Sequence, residues 1–382
     1  MDVAVVIPLF NGAKWIRQTL DSVFSQEHYP MEVVVVDDGS EDESPDIVKT
    51  YSDAILLRHP GKGENFARNF GLKHTTAPLV TFLDHDDVWH PAHLRLLCSI
   101  LEQHPECPAA VANVRVFKID NSLVLQPPKS DVVAFDPWIN FPKNQVYTPS
   151  SVVIRRASLD AIGGWPNRFA AYTDVYTWLR LSANQPLLMN RSISMGYRWH
   201  ENAMNINLRL KKEEIQRYFD AAMAASEDAV AHRLNVYPQD SARLKKNLGM
   251  LRPMSNILKA VANSECKLLK ESALTLEESL AGESTAFIQS ILHMLAWFLV
   301  PHLSMELLEN RTEVVEILIE HWPKEARNTR QAIISSAFAL NLLAYLYKGP
   351  LKIKYWKLFV DLIFVKLQYS LEQLNFFRQK NL

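Results

Sequence analysis

The stretch Pro78-Leu79-Val80-Thr81-Phe82-Leu83-Asp84-His85-Asp86-Asp87 passes from an apolar run to three carboxylates. Such a run reads as a strand buried on both faces, and strands of that kind belong to parallel sheets covered by helices. Carboxylates at its carboxyl end fall where open α/β sheets bind their ligands. An oxygen-rich cluster there suits a hard divalent cation, Mg²⁺ or Mn²⁺, which shares its remaining positions with water and substrate phosphates. The ordinary alternative is a solvated turn or a helix cap, so the flanking sequence has to decide.

Upstream, strand and helix signals alternate. Val3 to Pro8 is an apolar strand, followed by the loop Leu9-Phe10-Asn11-Gly12 and a helical pattern through Trp15, Ile16, Leu20, Val23 and Phe24. Glu32 to Val36 is a β-branched strand that ends in Asp37-Asp38-Gly39-Ser40, and Ser44 to Tyr51 reads as a helix with Pro45 in its first turn. A third strand is expected at Ala54–Arg58, a helix at Glu64–His74 and the fourth strand at Leu79–Leu83. This order predicts an α/β fold with a mainly parallel, right-handed sheet flanked by helices. Phe10, Asp37, Asp38 and the Asp84–Asp87 cluster would then converge at strand ends. A nucleotide would find there an aromatic face in Phe10, carboxylate acceptors in Asp37 and Asp38, and a metal platform for its diphosphate.

Composition limits the remaining choices. The chain has 382 residues, 48% hydrophobic and 22% charged, which reads as globular with room for about two domains. A net charge of −1 and no basic arm in the first half give no reason to expect nucleic acid as a partner. Cys98, Cys107 and Cys266 lack paired metal spacing and read as ordinary thiols of a reducing compartment. The acidic start Met1-Asp2-Val3 has no basic leader region, so no secretion signal is expected. The apolar stretch Ala286–Val300 contains Gln289, Ser290 and His293 and stops at Pro301, too short to span a bilayer.

Four ordered segments resemble the inverting nucleotide-sugar glycosyltransferases of family 2, which have the GT-A fold. They are Ile7-Pro8-Leu9-Phe10-Asn11, Val36-Asp37-Asp38-Gly39-Ser40, Gly63-Glu64-Asn65-Phe66-Ala67-Arg68-Asn69-Phe70-Gly71 and Phe82 to Pro91. Ser150 to Arg156, Gly163-Gly164-Trp165, Thr173-Asp174 with Trp178-Leu179-Arg180, and Tyr197-Arg198-Trp199-His200 continue the likeness to about residue 205. The resemblance implies that the Pro8–Asn11 loop carries the base-stacking aromatic, Phe10, and that Asp37 recognises the base. It also places Arg68 near the nucleotide phosphates, Asp84 near the ribose, Asp86 on the metal with Asp84 beside it, and His200 on the metal or diphosphate, with Asp87 an unassigned third member. The family's general base would be Asp174, although the acid that usually precedes it is replaced by Thr173. Trp165 either faces the acceptor sugar or plugs the sheet.

By that likeness the reaction is a metal-assisted single displacement, most simply from a UDP-sugar to a hydroxyl of a glycan or lipid-linked saccharide. A processive synthase would carry spanning helices and a Gln-x-x-Arg-Trp motif, but Met195 stands where the glutamine belongs. Non-processive transfer at the cytoplasmic side is therefore expected. A nucleotidyltransferase would need a glycine-rich basic loop near residue 10, and a silent scaffold would have no need of Asp84, Asp86 and Asp174 together.

Beyond about Asn207 the strand signals stop. The reading gives a catalytic domain at 1–206 and an all-α region at 207–382, with helices at Glu213–Leu234, Ser241–Val261, Ser284–Leu299 and Thr312–Trp322, suited to packing or to a homo-oligomer. The tail Lys348–Leu382 mixes basic and aromatic residues, a pattern that fits either the inner face of the plasma membrane or packing on neighbouring helices.

Overall fold

A computed structural model describes residues 1–118 except 62, residues 125 and 128–200 except 140, 143 and 145, residues 212–284 except 264, and residue 291. The strand β1 (Val3–Leu9) is buried at every position. Its side chains alternate between two helical layers, as a period of two requires. Val3, Val5, Ile7 and Leu9 pack with α1 (Ile16–Phe24) and α4 (His93–Gln103). Val6 faces the other way, with Ala67 and Leu72 of α3 (Glu64–Lys73) and with Trp165 and Trp178. Gly71 allows the close approach of α3, since a Cβ there would lie 2.4 Å from Val6 Cγ1 and 3.1 Å from Val36 Cγ2.

Strands β2 (Glu32–Asp37), β3 (Ala54–Arg58) and β4 (Leu79–Phe82) agree with the expected positions to within about a residue, and α2 (Ser44–Lys49) ends two residues before the expected Tyr51. The remaining strands are β5 (Val88–Trp89), β6 (Ala109–Lys118), β7 (Val132–Phe135), β8 (Val152–Arg155) and β9 (Leu187–Trp199). They form one sheet in the order β3-β2-β1-β4-β8-β6-β9-β5, with β7 also on β9. The β3-β2-β1-β4 half is parallel throughout, whereas β8 runs against β4 and β6, and β5 and β7 run against β9. The sheet is therefore mixed, mostly parallel.

The chain builds β2 and β3 on one side of β1 and then crosses to place β4 on the other. That reversal opens a crevice between the carboxyl ends of β1 and β4, the place where ligands enter such sheets. Two short helices, α5 (Arg156–Ala161) and α6 (Thr173–Leu181), cover the β8 side. Further helices are α7 (Lys212–Val236), α8 (Ser241–Asn263) and α9 (Cys266–Leu280).

The chain divides into two compact units. The first joins Met1–Ala203 to Ala221–Lys245, so part of α7 belongs with the sheet. Arg233 holds it there, donating from Nη1 to the carbonyls of Ser182 and Ala183 at 3.0 and 2.9 Å. The described part of the second unit is helical and buries Met250, Met254, Ile257, Leu269 and Leu276. Apart from Ser284 and Ile291, the expected helices Ser284–Leu299 and Thr312–Trp322 and the basic tail Lys348–Leu382 lie outside the described residues. Among the described residues, no helix is long and apolar enough to cross a membrane.

Candidate active site

The loops after β1 and β2 are stapled together. Asn11 adopts a left-handed φ of 49°, its N–H donates to Ser40 Oγ at 2.9 Å, and its Oδ1 accepts from the Glu41 N–H at 2.9 Å. Asn tolerates this conformation better than most residues. The Ala13 N–H donates to Asp42 Oδ2 at 2.9 Å, a second staple. Phe10, between β1 and this turn, is left 55% exposed. Its ring is thus free of the core and presented at the crevice.

Asp37 and Asp38 differ in what they have left to offer. Asp37 is buried, with Oδ1 accepting from the Ser40 N–H at 2.8 Å and Oδ2 3.8 Å from the exposed Arg58 Nε. Asp38 has Oδ1 2.7 Å from His59 Nδ1, while its Oδ2 accepts from the Gly63 N–H at 2.8 Å. Both Asp38 oxygens brace the loop that leads into α3, so a donor contact through them is not what this geometry offers. Asp37 retains one oxygen with only a loose, exposed partner.

The cluster after β4 separates into three different environments. Asp84 Oδ1 accepts from Arg68 Nη2 at 2.8 Å, and its Oδ2 accepts from Thr148 Oγ1 at 3.2 Å. Asp86 Oδ2 lies 2.8 Å from His200 Nε2, although the two residues are 114 apart in sequence. Asp87 turns inward, fully buried, accepting from Ser150 Oγ at 2.7 Å and from the Arg198 N–H at 3.0 Å. Burial, reinforced by the Asp86 and Asp84 charges, pushes the Asp87 carboxyl well above the ordinary carboxylate range. Asp86 is also pushed up by burial, but its bond to His200 and the charges of His85 and His200 outweigh this and hold it below that range. His85, between Asp84 and Asp86, packs against Gly12, where a Cβ would meet its ring at 2.5 Å.

Arg68 is 3% exposed and lies over the Trp165 ring at 4.6 Å. Besides Asp84 it bonds Glu64, one helical turn earlier, and its Nη1 donates to Asn65 Oδ1 at 3.3 Å. Burial raises Glu64 to about 8, against the pull of Arg68 and with help from Asp84 and Asp86. The guanidinium is therefore a counter-ion shared by two carboxyl groups. Trp165 is 1% exposed, packed edge-on to Phe82 at 5.2 Å and Trp178 at 5.6 Å. Of the two readings of Trp165, the plug is the one found; a ring so enclosed offers no face to an acceptor sugar.

Asp174 opens α6, just after Tyr172 at a left-handed φ of 64°. Its Oδ1 accepts from the Val175 N–H at 2.8 Å, and its Oδ2 accepts from Asn144 Nδ2 at 3.1 Å. Burial raises its pKa, opposed by the Val175 hydrogen bond and the Arg68 charge. The Asn144 amide is itself held, since its Oδ1 accepts from the Val146 N–H at 3.1 Å. A carboxylate that is oriented and made more basic has the properties of a general base.

Comparisons with known proteins bear on the family and the fold. Residues 4–162 match the family described as Glycosyl transferase family 2. The amino-terminal region is thus similar to the members of that family. An uncharacterized glycosyltransferase of Rickettsia prowazekii is 34% identical over 102 residues, 26% of this chain and 32% of its own length. Glycosyltransferase GlyA of Streptococcus pneumoniae is 36% identical over 89 residues, 22% of this chain and 13% of its own. These matches span about a third or less of the relatives. In fold, S. aureus TarS 1–349 in complex with UDP-GlcNAc superposes with a TM-score of 0.53 at 17% identity, over 87% of this chain and 91% of that one. The architecture is thus that of the GT-A glycosyltransferases.

Among the described residues, no group of three His, Cys, Asp or Glu side chains converges as a ready metal cage. The geometry instead offers a pair, Asp86 and His200. The 2.8 Å between Asp86 Oδ2 and His200 Nε2 is close to the roughly 2.9 Å that separates adjacent ligands on an octahedral cation. One carboxylate and one imidazole fit a cation that takes its other ligands from phosphate and water. Asp84, committed to Arg68 and Thr148, stands beside that pair rather than in it. Reasoning from sequence missed Asn144 and Thr148, and named Glu64 and Ser150 only within family-like segments. It noted Arg198 only as part of a motif, yet this buried side chain donates to the Asp86 carbonyl at 2.7 Å and to Gln18 Oε1 at 2.5 Å between the rings of Trp15 and Phe117. Polar residues in loops have no periodicity to betray them.

Proposed function

We propose that this chain is an inverting glycosyltransferase that moves a sugar from a nucleoside diphosphate, UDP most simply, to a saccharide hydroxyl. The observation that carries the reading is the placing of a basic, oriented carboxylate, Asp174, within electrostatic reach of the Asp84–Arg68 pair at one end of the sheet. Phe10 supplies the face for the base, and the open oxygen of Asp37 accepts from its N–H. Asp38 and Asn11 keep that loop in shape, as does Pro8, whose carbonyl lies 3.3 Å from His85 Nδ1.

Asp86 and His200 are the side chains that would hold a divalent cation, Mn²⁺ or Mg²⁺, with Asp84 next to them. When bound, such an ion supplies Lewis-acid stabilisation of the departing diphosphate charge. Arg68, screened by two carboxyl groups and backed by Trp165, fixes Asp84 for the ribose. Asp174 takes the proton from the attacking hydroxyl as that oxygen bonds to the anomeric carbon from the face opposite the diphosphate, whose own bond to that carbon breaks so that the nucleoside diphosphate departs. Inversion follows because one displacement occurs and no covalent sugar–enzyme bond forms. The fold shared with a protein that holds UDP-GlcNAc supports the choice of donor class.

A thermal-shift panel of UDP-, GDP- and TDP-sugars with and without Mn²⁺ tests the reading, because a ligand that binds the native state raises its stability. A shift for one nucleotide class that grows with Mn²⁺ is expected. No shift from any nucleotide at millimolar concentration would overturn it.

A further inference from the structure

With Trp165 enclosed, the acceptor saccharide needs another apolar face near Asp174. Sugars present patches of C–H groups, which pack on exposed aromatic rings, while their hydroxyls seek nearby polar atoms. The exposed aromatics near the crevice include Phe10, on the base side of the donor, and Tyr147, which is 53% exposed.

Tyr147 stands in a segment that touches Asp174, Asp84 and Asp87. Three residues before it, Asn144 donates to Asp174. One residue after it, Thr148 donates to Asp84, and three after it Ser150 donates to Asp87. A residue spans at most about 3.6 Å of chain, so Tyr147 stands within about 11 Å of chain from the Asp174 contact and about 4 Å from the Asp84 contact. The segment is held in shape: Thr148 Oγ1 accepts from the Ser150 N–H at 3.3 Å and Ser151 Oγ donates to the Thr148 carbonyl at 2.7 Å. The Tyr147 ring is braced edge-on by Tyr197 at 4.9 Å, which leaves a face rather than an edge for another partner. Burial and the nearby Asp87 charge both raise its phenol pKa.

We infer that Tyr147 is the platform on which the acceptor saccharide stacks, setting its hydroxyl between Asp174 and the donor bound at Asp84. This inference rests on the glycosyl-transfer reading above and names the acceptor side of the same site. The Asn144–Ser150 segment thus links donor and acceptor, with Asn144 orienting the base and Tyr147 the sugar.

The full chain, loaded with UDP, is titrated with methyl glycosides of glucose, galactose, mannose and N-acetylglucosamine, and read by saturation-transfer-difference NMR. At least one glycoside is expected to receive saturation on its ring C–H groups. Tyr147→Ala is expected to weaken that binding about tenfold, whereas Tyr147→Phe keeps it, since the ring and not the hydroxyl makes the contact. The UDP affinity of both variants, measured in parallel, is expected to stay within about twofold of the parent, which separates a local loss from misfolding. Unaltered glycoside binding in Tyr147→Ala, or no glycoside signal from the parent protein, would overturn the assignment. Absence of UDP binding by the parent would instead overturn the glycosyl-transfer reading on which it rests.

Discussion

Arg68 Nη2 stands 2.8 Å from Asp84 Oδ1, and the same guanidinium serves Glu64 while lying over the buried ring of Trp165. One helix residue thereby sets the charge of the crevice. Arg68→Met is expected to leave two carboxyl groups without their cation and to cost about 3 kcal/mol, since removal of one partner of an enclosed pair strands the other. Arg68→Lys should recover only part of this, because a compact ammonium lacks the planar group that lies over the Trp165 ring while reaching Asp84. Urea unfolding checks both, and an unchanged midpoint for Arg68→Met would contradict the counter-ion role.

Asp86→Asn removes the negative member of the Asp86–His200 pair. The Mn²⁺-dependent part of a nucleotide-sugar thermal shift is then expected to vanish while the metal-independent part remains. A Mn²⁺ increment that survives in full would show that the cation is held elsewhere.

Close packing between α3 and the sheet gives a test of the fold. Ala at position 71 would press a methyl group into Val6 and Val36, so Gly71→Ala is expected to cost about 1–3 kcal/mol in spite of the better helix propensity of alanine. Thermal unfolding decides it, and a raised Tm would mean that the helix can move away.

His93 titrates abnormally for a reason visible in its surroundings. It is fully buried, stacked on Trp89 at 4.8 Å, with Nδ1 2.9 Å from Ser194 Oγ and Nε2 without a partner. Burial lowers it from 6.5 to about 3, against a smaller opposing pull from Ser194. Between those values the unfolded chain binds the extra proton, so this residue's contribution to stability is lost as pH falls, by up to about 1.4 kcal/mol per pH unit. Asp87, whose pKa is raised, works in the opposite sense over the region above 3.8, so the two are separated by substitution. His93→Phe is expected to flatten the acid side of the Tm–pH curve relative to the parent. Parallel curves would refute the assignment.

The parallel half of the fold was legible because β-branched runs alternate with amphipathic segments, and β1 to β4 lie where those patterns place them. The mixed half was not. Strands such as β8, four residues long, pair with β4 more than 70 residues away, and no local pattern records such a partner. At the site, Asp86 and His200 were paired only through family likeness, since a histidine 114 residues distant has no signal of its own. Asp38 and Asp37 look alike in sequence and differ only in which loop atoms they meet. Trp165 shows the same limit from the other side. A tryptophan beside a glycine pair can face a sugar or seal a core, and only the positions of Phe82 and Trp178 decide between them.

The account turns on Asp174 as the base that activates the acceptor. Asp174→Asn retains an oxygen for the Val175 N–H and loses the negative charge, so the most direct measurement is the rate of sugar transfer at saturating donor in this variant, beside its donor affinity. The expected result is nucleotide-sugar binding within about twofold of the parent and transfer lowered by about 10²–10⁴-fold, the range for loss of general base catalysis. Transfer at the parent rate would contradict the account.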